Sequence, residues 1–397
     1  MIILCALGKH QYGDRSRGLG TEYAAFIPAL KNLGHDVRHF DIWDRALYCD
    51  FAELNLKLLK TVQNLRPDVL LTVPMHYEIW LETLGAIRST SRTITVCWTT
   101  DDSWKYHEFS RFIGKAYHFI TTTYPEILKK YKEDGIHRVM LTQWAANSKF
   151  LKEPLKARQC RYPVSFVGTA HGDRKKRINL LKKDGIDVRC FGHGWPEGSV
   201  PGNDVPRIFR DSVISLNFAN ARGINQIKAR TFEVPGSGGF LLTENAANLE
   251  KFYIPDKEID IFSSHADLID KINFYLRHQE KRDEIALAGF IRTAKEHTYE
   301  NRLINILEAI ESARIKADNG AASSGRRIDL HEAVLDYRTN TFLRMLRFFL
   351  LSVCVKILGH QKGPRAARRM VYEISWRLQG RKTYQASGWP GRMFPEI

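Results

Sequence analysis

The chain has 397 residues, a hydrophobic fraction of 44% and a formal net charge of +16. That is room for two ordinary globular domains and more, and the basic excess points to an anionic partner: a phosphate-bearing small molecule, nucleic acid or an acidic membrane. Its six cysteines (Cys5, Cys49, Cys97, Cys160, Cys190, Cys354) are scattered with no Cys-x-x-Cys pair, which argues against a zinc site or a disulfide framework and fits a reducing cytoplasm.

The first half alternates short apolar runs with amphipathic stretches. Strands are expected at 2–7 (IILCAL), 36–42, 68–73, 93–98, 118–123 and 138–143. Helices are expected at 21–34, where Tyr23, Phe26, Ile27 and Leu30 recur at helical spacing before Gly34, and at 51–65. Met1 leads straight into IILCAL, which is too short for a secretory signal and runs into a glycine loop. A second α/β series begins near Tyr162, with strands at 164–169, 186–192, 212–218, 239–244 and 259–264. Strand-helix alternation with β-branched strands predicts parallel sheets covered on both faces.

The expected organisation is a Rossmann-like domain over 1–150, a second over 162–315 and a basic helical tail over 326–397. The basic, proline-containing stretch 149–161 reads as the interdomain linker, and ADNGAASSG (317–325) as a flexible one.

In open α/β sheets ligands bind beyond the carboxyl ends of the strands, so the loops there carry the candidates. After the first strand stand Gly8, His10, Arg15 and Arg17, in a loop that is not G-x-G-x-x-G. It is either a clamp over phosphates or a flexible loop. His76 follows the third strand, and Asp101 and Asp102 the fourth, where a general base for an acceptor hydroxyl belongs. An aspartate capping the next helix is the plain alternative for one of the two. The adjacent acids do not have the spacing of a D-x-D metal site.

In the second series, VGTAHGDRKK (167–176) places Arg174 and Lys175 at a helix start, suited to a pyrophosphate or simply solvated. Gly192 allows close backbone approach in FGHGW, beside His193. In KARTFEVPGSGGFLLTE (228–244), Glu233 can accept two hydrogen bonds from a ribose diol while Lys228 or Arg230 neutralises phosphate. The alternative is an ordinary i, i+3 ion pair between Arg230 and Glu233.

KARTFEVPGSGGFLLTE, then LEKFYIPDKEIDIFSSHADLIDKINFYL (249–276) and RDEIALAGFIRTAKEHTYENRL (282–303), resemble the C-terminal half of glycosyltransferases of the group 1 type, in the branch that includes spore-maturation-like proteins. The resemblance covers about 160–310. TVCWTTDDSW (95–104) and GKHQYGDRSRGLG (8–20) extend it more weakly into the first half. It implies a GT-B fold, with two Rossmann-like domains facing across a cleft, a nucleotide-sugar donor on the second and a glycan or lipid-linked acceptor on the first. It implies no cofactor and no metal for the chemistry, and leans towards retention of anomeric configuration. Related enzymes carry an E-x7-E pair; Glu233 matches the second acid, but Asn225 stands where the first is expected.

The tail holds eleven Lys/Arg from Thr341 to Ile397 against two acids, Glu373 and Glu396. Its apolar run FFLLSVCV (348–355) falls short of the roughly 18–20 residues that span a bilayer. It is expected either to lie on an anionic membrane surface or to pack on the first domain. The leading functional reading is a cytoplasmic glycosyltransferase. The alternative is a non-catalytic nucleotide-sugar or glycan-binding protein on the same fold. Nucleic acid is disfavoured, because the basic excess sits mainly in the tail and no binding module is present.

Overall fold

The computed structural model describes residues 1–44, 46–219, 226–318, 329–338 and 341–395. The chain divides into two compact units, one of Met1–Thr142 with Ile306–Ile397, the other of Gln143–Asn305.

The first unit holds six strands: β1 (Ile2–Ala6), β2 (Asp36–Phe40), β3 (Val69–Thr72), β4 (Ile94–Trp98), β5 (Phe119–Thr122) and β6 (Val139–Leu141). All pair in parallel in the order β2-β1-β3-β4-β5-β6, with Ile3 opposite Val69 and Val69 opposite Ile94. The inner strands are continuous apolar runs because helices cover both faces; the edge strand β2 is only partly buried. Strand order reverses direction at the β1/β3 pair, so the loops after those two strands diverge and open a crevice. Helix Phe51–Leu65 starts at Asp50, whose carboxylate accepts the Glu53 N–H, and buries Phe51, Leu54, Leu58 and Val62 at helical spacing.

The second unit holds β7 (Tyr162–Val167), β8 (Arg189–Phe191), β9 (Ser212–Asn217), β10 (Leu241–Glu244) and β11 (Asp260–Phe262), also all parallel, in the order β11-β10-β9-β7-β8. The reversal here is at β7/β9. The stretch 149–161, expected as a linker, is instead packed into this unit. Lys152 N–H donates to Gly236 O, and Arg282, wholly buried, donates to Leu155 O, Ser212 O and Val213 O. A buried guanidinium must find acceptors, and these carbonyls hold the stretch against the domain.

The tail belongs to the first unit. Helix Leu330–Tyr337 packs Tyr337 against Trp80, ring centroids 5.1 Å apart. The helical span Thr341–Gln379 breaks at Gly359, whose φ of +76° and ψ of 169° end the first arm. The second arm folds back: a Cβ on Gly363 would lie 2.6 Å from Val355 Cα, so only glycine lets the arms approach this closely. Leu343, Ala367, Val371, Met393 and Phe394 fill the seam. Of the two placements expected for the tail, packing on the first domain is the one observed for its second arm. The stretch 319–328, which includes most of the expected flexible linker, lies outside the described residues.

Candidate functional site

In the second unit two of the four sequence-selected cations, Arg174 and Arg230, meet at the β7/β9 reversal. Arg174 donates from Nη2 to Phe218 O at 2.7 Å and from Nη1 to Thr169 O at 3.1 Å, tying together the loops that follow β9 and β7. Its guanidinium stacks on Phe166, 5.4 Å from the centroid. Arg230 reaches the same place from the helix Arg230–Gly236, its Nε 3.4 Å from Val167 O at the end of β7. Burial and the neighbouring Arg174 charge both act to lower the Arg230 pKa. Two partly desolvated guanidinium groups acting on each other's charge are an arrangement that can accommodate an anion.

Glu233 pairs with Arg230 one helical turn away, so the i, i+3 ion pair is real. It engages Oε2 only, and Oε1 has no partner among the described residues. The local sequence explains the geometry. Pro235 sits in the last turn of the short helix, Ser237 Oγ caps Glu233 O at 2.7 Å, and the glycines then permit close contact. A Cβ on Gly236 would lie 2.6 Å from Ala146 Cβ, and one on Gly238, at φ +80°, 2.5 Å from Lys152 O. The Pro-Gly turn thus seats the helix on the start of the unit and fixes the direction of Arg230 and Glu233.

Lys228 Nζ contacts Gln226 Oε1 at 3.3 Å. Lys175 and His193 are exposed, and Gly192 lies against the Gly168 carbonyl, joining the β7 and β8 loops. Asn225 lies outside the described residues. A cavity of about 650 Å³ opens beyond β9–β11 beside Arg177, Glu244, Ser263 and His265, and none of the sequence-selected donor residues lines it. Arg177 and Glu244 pair there at 2.7 Å.

In the first unit the structure corrects the choice of Asp102. It is 1% exposed, and its carboxylate accepts from Thr99 Oγ1 (2.8 Å), Ser110 Oγ (2.5 Å) and Tyr131 Oη (2.8 Å). Burial raises its pKa, and these hydroxyls pull it down. With its lone pairs taken, Asp102 fastens the turn after β4 to the core and has no access to an acceptor. His76 stands beside Tyr372, centroids 5.3 Å apart. Burial, then the charges of Lys105, Arg369 and Arg368, lower its pKa to about 3. Its imidazole is therefore neutral at physiological pH and a poor proton acceptor, far from the optimum for a general base.

The loop after β1 is held within itself, where His10 bridges Leu19 and Arg17 pairs with Asp14 at 3.2 Å, and by Asp44 beyond β2, which pairs with Arg15 at 3.5 Å. Both arginines are exposed, and Gly8 lies under the Trp43 ring. Sequence reasoning passed over Glu22, which follows β1, and Lys105, which follows β4 and brings its ammonium 3.5 Å from Met75 O in the loop after β3. Position after a strand was the available signal; the burial of Lys105 was not legible. Among the described residues no group of three or more His, Cys, Asp or Glu side chains is placed to hold a metal ion.

Residues 174–308 match the family model described as glycosyl transferase-like. The chain carries a glycosyl transferase-like domain. No curated protein sequence matches it. Among solved structures it is similar to sucrose-phosphate synthase from Thermosynechococcus elongatus, with TM-score 0.56 and 11% identity over 79% of this chain and 99% of that one. It is similar to Anabaena HepE in complex with UDP and glucose, with TM-score 0.53 and 13% identity over 79% and 100%. A glycosyltransferase from Rickettsia africae gives 0.54 and 11% over 78% and 97%. At these identities the likeness is one of fold, and the fold is GT-B.

Proposed function

We propose that the protein is a glycosyltransferase that moves a sugar from a nucleotide-sugar donor to a hydroxyl of a glycan or lipid-linked acceptor. The observation that carries this reading is the convergence of Arg174 and Arg230 at the β7/β9 reversal, with Glu233 alongside, inside the glycosyl transferase-like segment. The two guanidinium groups would neutralise the diphosphate as it leaves, and the free Glu233 oxygen would accept from the ribose. HepE was solved with UDP and glucose, which favours a uridine diphosphate sugar as the first donor to try. The reading includes the spore-maturation-like branch, on the strength of the RTFE and HTYENR motifs, a metal-independent mechanism from the GT-B fold, and retention from the resemblance to E-x7-E enzymes, of whose pair this chain keeps Glu233.

The reading also places the chain at an anionic membrane surface through the first arm of its tail. Phe348, Ile357, Phe342, Met345 and Phe349 are each more than 60% exposed there, next to Arg344, Arg347 and Lys356. Among the described residues no helix is long and apolar enough to cross a membrane.

Thermal shift with UDP, GDP, CDP and TDP sugars, followed by detection of released nucleotide, tests the main reading. Stabilisation by one of them with turnover supports it. Stabilisation without turnover on any glycan acceptor favours a binding protein on the same fold. No stabilisation by any nucleotide removes the donor site.

A further inference from the structure

The second arm of the tail has two opposite faces. On one, Arg369 holds Glu108 at 2.9 Å, Tyr372 Oη donates to Glu108 O at 3.0 Å, and the Tyr372 ring lies 5.3 Å from that of His76. Glu108 belongs to the π-helical turn Tyr106–Ser110 that follows β4, and His76 to the loop that follows β3. This face is therefore seated on strand-end loops of the first unit. On the other stand Met370, Ile374 and Leu378, 37%, 45% and 73% exposed and four residues apart. Two residues along an α-helix turn by about 200°. Met370 and Ile374 flank Tyr372 at that spacing, so they point away from the loops that Tyr372 touches.

The stripe continues the exposed face of the first arm. Ala367 and Val371, three residues before Met370 and Ile374, are buried in the seam between the arms, so apolar side chains stand exposed along both helices beside one seam. Charge says what covers them. Residues 359–382 hold seven Lys/Arg against one acid, Glu373, which is itself paired with Arg369 and Arg377. An apolar stripe set among cations matches the boundary between acyl chains and anionic headgroups. A helix with its side chains is ~10–12 Å across. The loops after β3 and β4 are thus held about one helix diameter from a bilayer that takes up the stripe. The headgroup layer is itself roughly 5–7 Å deep, so a hydroxyl on a headgroup, or on one sugar attached to it, reaches these loops without its lipid leaving the membrane.

We propose that the acceptor is membrane-borne: the hydroxylated headgroup of a lipid, brought to the first unit by the second arm as its Met370–Ile374–Leu378 stripe lies in the bilayer surface, and not a free glycan. This rests on the glycosyltransferase reading and narrows its acceptor to one class. The headgroup hydroxyl oxygen forms the new bond to the anomeric carbon of the donor as the bond from that carbon to the diphosphate breaks. The diphosphate leaves with the electron pair and takes up the hydroxyl proton.

Two measurements on the full chain test it. In the first, a bimane on Leu378→Cys, in a Cys49→Ser background, is read on phosphatidylglycerol vesicles with dibrominated acyl chains. Its emission is expected to fall at least twofold; emission equal to that on unbrominated vesicles overturns the proposal. In the second, the nucleotide sugar that stabilises the chain, radiolabelled in its sugar, is offered phosphatidylglycerol vesicles containing diacylglycerol or glucosyldiacylglycerol, and in parallel methyl hexosides and soluble oligosaccharides. Label is expected to enter the lipid extract at least tenfold faster than the soluble glycans. The Met370→Ser, Ile374→Ser, Leu378→Ser triple variant should lose the lipid product at least tenfold while UDP affinity stays within twofold. Transfer to the soluble glycans alone, or a triple variant as active on vesicles as wild type, overturns the proposal. No turnover of any donor with either acceptor strikes the glycosyltransferase reading instead, and the bimane emission, which needs no donor, still tells whether the second arm brings the first unit to the bilayer.

Discussion

Arg369 grips Glu108 with both arms of its guanidinium, Nη1 to Oε1 at 3.3 Å and Nη2 to Oε2 at 2.9 Å, joining residues 261 positions apart. The Glu108 carbonyl accepts from Tyr372 Oη at 3.0 Å and from Tyr384 Oη. The second arm of the tail therefore fastens onto the π-helical turn that presents Lys105. Arg369→Met should leave a buried carboxylate without its cation. The Arg369 side chain is 45% exposed, so the loss is about 1 kcal/mol, well below the several expected for a fully buried pair. A urea unfolding midpoint unchanged from wild type would show that the tyrosines alone hold the tail.

His76 gives a prediction in pH. Its folded pKa of about 3 lies below the ordinary 6.5, so between these values the unfolded chain binds a proton that the folded chain refuses. Its contribution to stability is whole above pH 6.5 and is lost as pH falls towards 3, with a cost near pH 5 of about 2 kcal/mol. His118, lowered to about 4 by burial and then by Arg88 and Arg138, acts in the same window. The difference in Tm between pH 7.5 and pH 5 should shrink in His76→Asn and shrink further in the His76→Asn, His118→Asn double variant. An acid limb as steep in the double variant as in wild type contradicts this.

These groups mark where the sequence was readable. All eleven expected strands exist; the inner ones were plain because a buried parallel strand is a nearly uninterrupted apolar run between turn residues, and helix 51–65 begins and ends where its periodicity does. The Arg230–Glu233 neighbourhood was legible too, since i, i+3 spacing and a Pro-Gly turn are local properties. Asp102 was not. Its three hydroxyl partners come from Thr99, Ser110 and Tyr131, and nothing in the local sequence announces that Tyr131 folds back onto it. Lys105 was missed for the same reason: a lysine in a loop reads as solvated until the fold closes over it. The stretch 149–161 read as a linker from its charge and proline, while the residue that pins it, Arg282, lies more than 120 positions away.

The pairing of Glu233 with Arg230 separates two ligand contributions. Glu233→Ala removes the ribose acceptor but also frees Arg230 for phosphate. Uridine affinity should therefore fall at least tenfold, a loss of about 1.4 kcal/mol or more, while UDP affinity falls by a smaller factor. Arg230→Ala should do the reverse, weakening UDP and sparing uridine. Isothermal titration of both ligands against both variants reads this directly. Equal losses for uridine and UDP in each variant would mean that the pair supports the fold and not the ligand.

The first arm of the tail has two apolar faces. Leu343, Leu346, Leu350, Leu351 and Cys354 turn to the seam with the second arm. Phe342, Met345, Phe349 and Val353, with Phe348, Ile357 and Leu358, remain exposed to the extent of 38–75%. A helix apolar on nearly every side is covered by protein or by lipid, and here the inner face alone is covered. The charge favours lipid: from 341 to 372 there are seven Lys/Arg and no acid. Each apolar side chain gains about 1.5–3 kcal/mol at most on burial, and each basic residue about 1 kcal/mol near an anionic surface. The full chain should co-sediment with vesicles containing phosphatidylglycerol, more weakly with phosphatidylcholine alone, and less as salt rises. Phe348→Ser with Phe349→Ser should abolish sedimentation while leaving the Tm within a few degrees, because neither ring packs in the seam. A chain that stays in the supernatant with anionic vesicles, or a double variant that sediments like wild type, rules out the membrane as the partner of this face.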